Sequence, residues 1–439
     1  MILTAAAVVT GEPEDAVLRP GWVEVTGSVI TAVGAGGPPD GADSTDSSVV
    51  HDLGDATIVP GFVDTHIHGG GGGAFPDCAT DPDAVATGIA AHARHGTTSM
   101  IASLVSAHPG DLLRQVETLA PMVADGPLAG IHLEGPWLSS HKCGAHDPTA
   151  LRAPDAAEIS RVFDAADGTI RMVTIAPELD GALDAIAQVV DAGAVAAVGH
   201  TNATYDQTVA AIGAGARVGT HLLNAMRPVH HREPGPVTAL VEDPRVTVEM
   251  IGDGVHLHPA VYRNVCARVG AGDSGAGRVS LVTDAMAAAG MPDGAYHLGA
   301  LAVDVVDGIA RVAGTDTIAG STATMDQLFN FAVANAPATV PATAPATAQD
   351  TAEDTAGNVT TDAAGVAAAD AALLAAVQQT SITPARALGL PAAGIRPGGR
   401  ADLVVLAVPD GTSNPDVGTS DELRNRLQVS AALRSGEWV

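Results

Sequence analysis

Apolar and polar positions follow one repeating pattern through the middle of the chain. Short apolar runs each end in a polar tip, and alanine-rich stretches of helical composition separate them. The runs end in LAGIHLEGP (128–136), IRMVTIAPE (170–178), AVAAVGHTN (194–202), ARVGTHLLNAM (216–226), VTVEMIGDGVH (246–256) and VSLVTDAM (279–286), with helical stretches such as 83–95 and 205–213 between them. An earlier apolar run, 58–63, reads as a buried strand leading into the tip DTHIH. Strands alternating with helices predict parallel strands. A (β/α)8 barrel gathers all its strand tips at one mouth, where active sites lie. An open doubly wound sheet would place ligands at a single switch point, which does not account for polar tips on so many strands. The expected fold is α/β, a (β/α)8 TIM-type barrel over 58–397.

The two ends have a different pattern. Residues 1–57 read as short strands broken by turns, too few to build a good core alone. Residues 398–439 are again strand-like, and the two ends together predict one small β-sandwich domain with the barrel inserted between them. Residues 334–370 are rich in Pro, Ala, Thr and acids without apolar periodicity. Such a stretch buries too little to offset its ordering entropy, so it reads as a low-complexity, disordered insertion between helices at 324–333 and 371–380.

Composition narrows the function classes. The chain has 439 residues, with 21 basic and 50 acidic side chains leaving a formal charge of −29. Nucleic acid and anionic membranes call for basic patches, so neither is an expected partner. Lys142 is the sole lysine, which leaves little room for Schiff-base chemistry, and no P-loop motif is present. Cys78, Cys143 and Cys266 are far apart, so neither a disulfide framework nor a zinc knuckle is expected. With no basic leader segment and no apolar run of membrane-spanning length, a cytoplasmic protein is expected.

Candidate chemistry concentrates at the strand tips. His66 and His68 lie two apart on a strand, hence on one face and about 7 Å apart at Cα, within reach of one metal ion. The glycines at 69–73 then let the backbone turn tightly. Glu134, His200, His221 and Asp284 each end a different apolar run. Singly, a strand-end His is most often a hydrogen-bonded structural residue and a strand-end Asp often caps the next helix; six such residues at tips that a barrel gathers read as a site. One Glu with two His is a ligand set for a catalytic zinc with an open position. Asp284 is left over, free for acid–base work.

PGFVDTHIHG, HLEGPWLSSHKCGAHDP, GHTNATY, THLLNAM, REPG, DGVHLHP, LVTDAM, IAGS and TPARALGL occur in that order between about 58 and 400. On these motifs the chain resembles the N-acetylglucosamine-6-phosphate deacetylases of the amidohydrolase superfamily. The resemblance implies hydrolysis of N-acetylglucosamine 6-phosphate by metal-activated hydroxide, with Asp284 as general base and acid. It implies a divalent metal, zinc being the ion expected, held by Glu134, His200 and His221. His66 and His68 fit the two-metal members, giving one or two ions per chain. Many binuclear relatives bridge their metals with a carboxylated lysine; Lys142 lies in a loop, so Glu134 is the better bridge. His146, with Ala145 and His256, falls on the sugar and carbonyl side. Asn224, Ala225 and Arg232 fall on the phosphate, and Ile318, Ala319 and Gly320 line the sugar pocket. The matching Arg reaches in from a neighbouring subunit, so a homodimer is implied. His230, His231 and His258 read as surface residues, and Cys143 as a loop thiol beside the site. Two other readings stay open: a different amidohydrolase, acting on another N-acyl sugar phosphate, a cyclic amide or a nucleobase, and a metal-binding module without catalysis.

Overall fold

The computed structural model describes residues 1–12, 17–38, 49–124, 128–269, 277–336, 359–408 and 427–439. Its central sheet has eight parallel strands paired in chain order: β1 Phe62–Ile67, β2 Thr97–Leu104, β3 Leu128–Glu134, β4 Ile170–Ile175, β5 Val195–Val198, β6 Val218–Gly219, β7 Thr247–Met250 and β8 Val279–Leu281. One helix follows each strand: α1 Asp83–Ala93, α2 Pro109–Ala124, α3 Ala156–Ala166, α4 Ala182–Asp191, α5 Tyr205–Ala214, α6 Gly235–Glu242, α7 Pro259–Val269 and α8 Met325–Ala334. This is the (β/α)8 barrel that the alternation predicts. Every residue of β1 is buried, as expected for a parallel strand covered on both faces. Local chemistry fixes the helix starts. Asp155 accepts a hydrogen bond from the Glu158 amide at 2.8 Å to cap α3, and Thr204 with Gln207 forms a reciprocal capping box on α5.

The barrel closes through one short seam. Ile67 at the end of β1 bridges in parallel to Ala285, just past β8. There the Asp284 amide donates to the His66 carbonyl at 2.9 Å and the His68 amide to the Ala285 carbonyl at 2.7 Å. Asp64 reinforces the seam, accepting from the Thr283 hydroxyl at 2.5 Å. Burial pushes the Asp64 carboxyl up to about 7, although the Thr283 hydrogen bond opposes the shift.

Strands from both chain ends share one six-stranded sheet, ordered Glu437–Trp438, Gln428–Arg434, Leu403–Ala407, Thr57–Pro60, Ala7–Val9 and Val17–Leu18. A four-stranded sheet built from Ile2–Ala5, Gly21–Thr26, Val29–Ala35 and Val50–Asp52 lies beside it. Leu3, Val23, Ile30, Ile58, Ile395 and Leu403 form a core of their own there.

Several expected boundaries move. The run 58–63 is two strands: Thr57–Pro60 joins the terminal sheet, and β1 begins at Phe62. Gly61 marks the handover. Its amide donates to the Asp402 carbonyl, and a Cβ there would lie 2.2 Å from the Thr98 hydroxyl. The helix expected over 371–380 instead runs Val359–Val377 and passes into a π turn at Gln378–Ile382. Alanine carries helix propensity without any apolar stripe, so low periodicity concealed it. Of the expected insertion, 337–358 lies outside the described residues. A three-stranded sheet of Gly294–Leu298, Leu301–Val306 and Ile309–Val312, not anticipated from the sequence, stands between β8 and α8. Among the described residues no helix is long and apolar enough to cross a membrane.

The glycine loop after β1 is held from behind by α1. His92 Nε2 donates to the Gly69 carbonyl at 2.9 Å. Burial lowers the His92 pKa to about 4, even though that hydrogen bond favours the charged ring. The unfolded chain therefore binds a proton below about pH 6.5 that the folded chain refuses until about pH 4. His92 thus contributes stability that is present above pH 6.5 and lost as pH falls toward 4, about 3 kcal/mol in all at 1.36 kcal/mol per unit. Replacing it by glutamine, H92Q, should flatten the loss of unfolding free energy between pH 6.5 and 4. Denaturant titrations of both proteins across that window measure it, and parallel curves would refute the assignment.

Candidate metal centre and substrate cleft

Six side chains from five strand ends meet over the barrel mouth. Glu134 closes β3 and is buried. Its Oε1 lies 3.0 Å from His200 Nε2 and 2.9 Å from His221 Nε2. Its Oε2 lies 3.4 Å from His66 Nε2 and 3.2 Å from His68 Nε2. Asp284 Oδ1 faces the same two histidines at 3.4 and 3.1 Å. Two ligand groups result, His66–His68–Glu134–Asp284 and Glu134–His200–His221, with Glu134 common to both.

The far nitrogens show what these groups lack. His68 Nδ1 lies 3.1 Å from the Ser103 carbonyl and His200 Nδ1 2.9 Å from the Lys142 carbonyl. A carbonyl can only accept, so each Nδ1 carries a proton, and each ring turns its Nε2 into the site as the atom left to meet a cation. His66 Nδ1 likewise faces Glu249 Oε2, at 3.4 Å. Yet His66 Nε2 lies 3.1 Å from His68 Nε2, and His200 Nε2 3.0 Å from His221 Nε2. Lone pairs therefore converge on lone pairs and on carboxylate oxygens. Only positive charge between them reconciles the arrangement, and imidazole with carboxylate is a donor set for divalent metals. The residues fit a metal pair.

Titration points to the same need for positive charge. Burial disfavours charge on His66 and His68, but Glu134 and Asp284 more than reverse this and raise both pKa values. Burial would raise Glu134 and Asp284, but the facing histidines outweigh it and hold both carboxylates low. His146 goes the other way: burial, then the nearby His200, push it down to about 4. Its Nδ1 accepts the Ser106 amide at 3.1 Å, so the neutral ring presents Nε2–H to the site.

The backbone at these positions is unusual. His200, His221, Ala225 and Asp284 have φ of +46°, +27°, +48° and +48°. Such left-handed non-glycine residues cost about 1–3 kcal/mol each and cluster at functional sites.

A family model, the amidohydrolase family, matches residues 57–439. The chain belongs to the amidohydrolase family. It is 55% identical to the solved N-acetyl-D-glucosamine-6-phosphate deacetylase of Mycobacterium smegmatis, in a mutant form in complex with N-acetyl-D-glucosamine-6-phosphate; the match covers 100% of this chain and 98% of that one, with a TM-score of 0.83. It is 39% identical over 285 residues to the N-acetylglucosamine-6-phosphate deacetylase of Danio rerio, covering 61% of this chain and 68% of that protein. It is 37% identical over 274 residues to the N-acetylgalactosamine-6-phosphate deacetylase of Escherichia coli O157:H7, covering 61% and 70%.

This amidohydrolase has a cleft of about 510 Å³ opening from the candidate ligand cluster. His68, Glu134, His200, His221 and Asp284 line its base, while Ala145, His146, Asn224, Ala225, His256, Ile318 and Gly320 line its walls. His66 is fully buried beneath them. Two expected contacts fall outside. Ala319 is buried and its side chain packs with Met286 and Ala310, so of its tripeptide only the flanking residues face the cleft. Arg232 is exposed and bonds His231 at 2.7 Å, away from its own chain's cleft. Asp284 is not left over, because it stands within the His66–His68 group. The sequence reading missed Glu249 behind His66 and Asp253, whose Oδ2 lies 2.7 Å from His256 Nδ1. It also missed His132, a buried ring joining Ser103 to Thr174 below the site. A buried acid inside the apolar run VTVEMI was the available signal for Glu249.

Proposed function

We propose that this amidohydrolase cleaves N-acetyl-D-glucosamine 6-phosphate to D-glucosamine 6-phosphate and acetate. The observation that carries the reading is a buried cluster of lone pairs at the floor of a sugar-sized cleft. The chain's full-length likeness to a deacetylase solved with that sugar phosphate supports the choice of substrate. Zinc suits the Glu134–His200–His221 group, which offers three ligands and leaves a fourth position open. A divalent ion held there supplies Lewis acidity to a carbonyl oxygen and acidifies a water molecule.

The protein's own residues do the rest. Asp284, held as a carboxylate by the histidines around it, accepts a proton from the water that adds to the acetyl carbon. It returns that proton to the amine nitrogen as the C–N bond breaks. His146 donates Nε2–H toward the developing oxyanion. His256, braced by Asp253, contacts the sugar. Asn224 and the Ala225 backbone receive the phosphate at the outer wall. Arg232 faces away from its own cleft, so on this reading it serves the cleft of a second copy in a homodimer.

A second substrate has an observation in its favour, the likeness to the E. coli N-acetylgalactosamine-6-phosphate deacetylase. Acetate release should be measured from both phosphorylated epimers and from unphosphorylated N-acetylglucosamine. Preference for the phosphorylated gluco epimer is expected; preference for the galacto epimer would transfer the assignment, and no release from any would end it. D284N should lower kcat by about 10²–10⁴-fold, the usual scale of a general acid–base group. It should still retain the ion at Glu134–His200–His221, and near-normal turnover would remove Asp284 from its role. R232A should raise KM for the phosphorylated sugar by about 10- to 100-fold with kcat little changed, as for a charge-assisted hydrogen bond. An unchanged KM in steady-state assays would exclude the intersubunit contact.

A further inference from the structure

The four converging imidazoles are not backed alike. His68 and His200 each rest on a neutral carbonyl, and His221 Nδ1 is buried without a hydrogen-bond partner. Among the described residues, only His66 of the four has a carboxylate behind it. Glu249, on β7, is 1% exposed. Its Oε1 accepts from the Thr65 hydroxyl at 3.1 Å and its Oε2 faces His66 Nδ1 at 3.4 Å. Its backbone is fixed as well, the carbonyl accepting the Leu222 amide at 2.7 Å. Among the described residues, His66 is the sole basic group that forms an ion pair with it.

A carboxylate buried without arginine or lysine is costly unless positive charge reaches it by another route. Through an imidazole that route is short. The carboxylate accepts Nδ1–H, makes Nε2 a stronger donor, and is itself compensated by a cation bound on the far side. We propose that Glu249 is a positioning residue which makes the His66–His68–Asp284 half of the site the more tightly binding metal position. The inference rests on the two-ion reading above. It separates two half-sites that the ligand count alone would treat as similar: one backed by charge through Glu249, the other backed by a carbonyl alone.

Cobalt(II) titration of the metal-stripped full-length protein tests this, followed by calorimetry and visible absorption, with bound metal counted by elemental analysis. Wild type should show two binding steps. A single step would overturn the two-ion reading itself, before any variant is compared. In E249Q, which keeps shape but removes charge, the tighter step should weaken by about 10- to 100-fold, the usual effect of losing such a partner, and weakening of the looser step alone would overturn the proposal. The other step should stay in place and the melting temperature change little. Two unaltered steps would overturn the proposal. So would equal weakening of both with a lowered melting temperature, the mark of a merely structural role. Should E249Q fail to fold, T65V keeps the carboxylate but frees its orientation. A smaller loss confined to the tighter step would then support the proposal, and wild-type binding or a loss at the looser step alone would overturn it.

Discussion

Glu134 placed between two facing pairs of imidazoles is the constraint on which the barrel mouth depends. Each oxygen serves a different pair, so the two half-sites cannot be positioned independently. A cluster made of lone pairs and carboxylates does not hold itself together. The surrounding fold must impose it, since buried unpaired charge costs several kcal/mol per group. The barrel supplies that constraint. β1 and the segment after β8 are joined at the residues that carry His66, His68 and Asp284, so closing the barrel and assembling one half-site are the same event. The other half-site is set by the loop 135–148, whose Lys142 carbonyl orients His200.

The backbone shows how the rest is achieved. His200, His221 and Asp284 all sit two or three residues beyond their strands, in left-handed conformations that turn the side chain inward over the barrel axis. A continued strand would alternate these side chains between faces; the turn removes that limit. β6 is two residues long, short because the chain turns early to bring in His221. Strand length is therefore given up where ligand placement requires it.

Much of this is legible in the sequence because the barrel makes function coincide with a local feature, a polar residue ending an apolar run. The architecture can be read that way, and so can the clustering of Glu134, His200, His221, His66 and His68 at the mouth. What stayed hidden has physical reasons. Glu249 and His132 lie inside runs whose pattern reads as core, and only the fold shows which apolar strand has an acid facing a ligand. In sequence Asp284 stands apart from His66 and His68, because spacing along the chain gives no hint that β8 closes on β1. The helix beginning at Val359 has 9 alanines in its 19 residues and no apolar stripe, so periodicity has little to detect. Arg232 lies in a motif of its own, REPG, but is turned away from its own cleft, and a motif does not fix direction.

Charge raises a last problem that the geometry resolves. A chain of net charge −29 repels an anionic sugar phosphate, and within the cleft Glu134, Asp284 and Asp316 add to that field. At physiological salt the Debye length is about 8 Å, so distant surface acids are screened and the local balance decides. Among the described residues lining that cleft, Lys142 is the one lysine or arginine. On the proposed reading, the positive charge that receives the substrate comes largely from outside the chain: divalent ions at the floor and an arginine from a second copy at the rim. Binding of the anion and activation of water then depend on the same requirement, since the acids that gather the ions also make the unloaded cleft repellent to the substrate. A protein that has lost its ions should therefore be poor at binding as well as at hydrolysis, because one set of charges serves both.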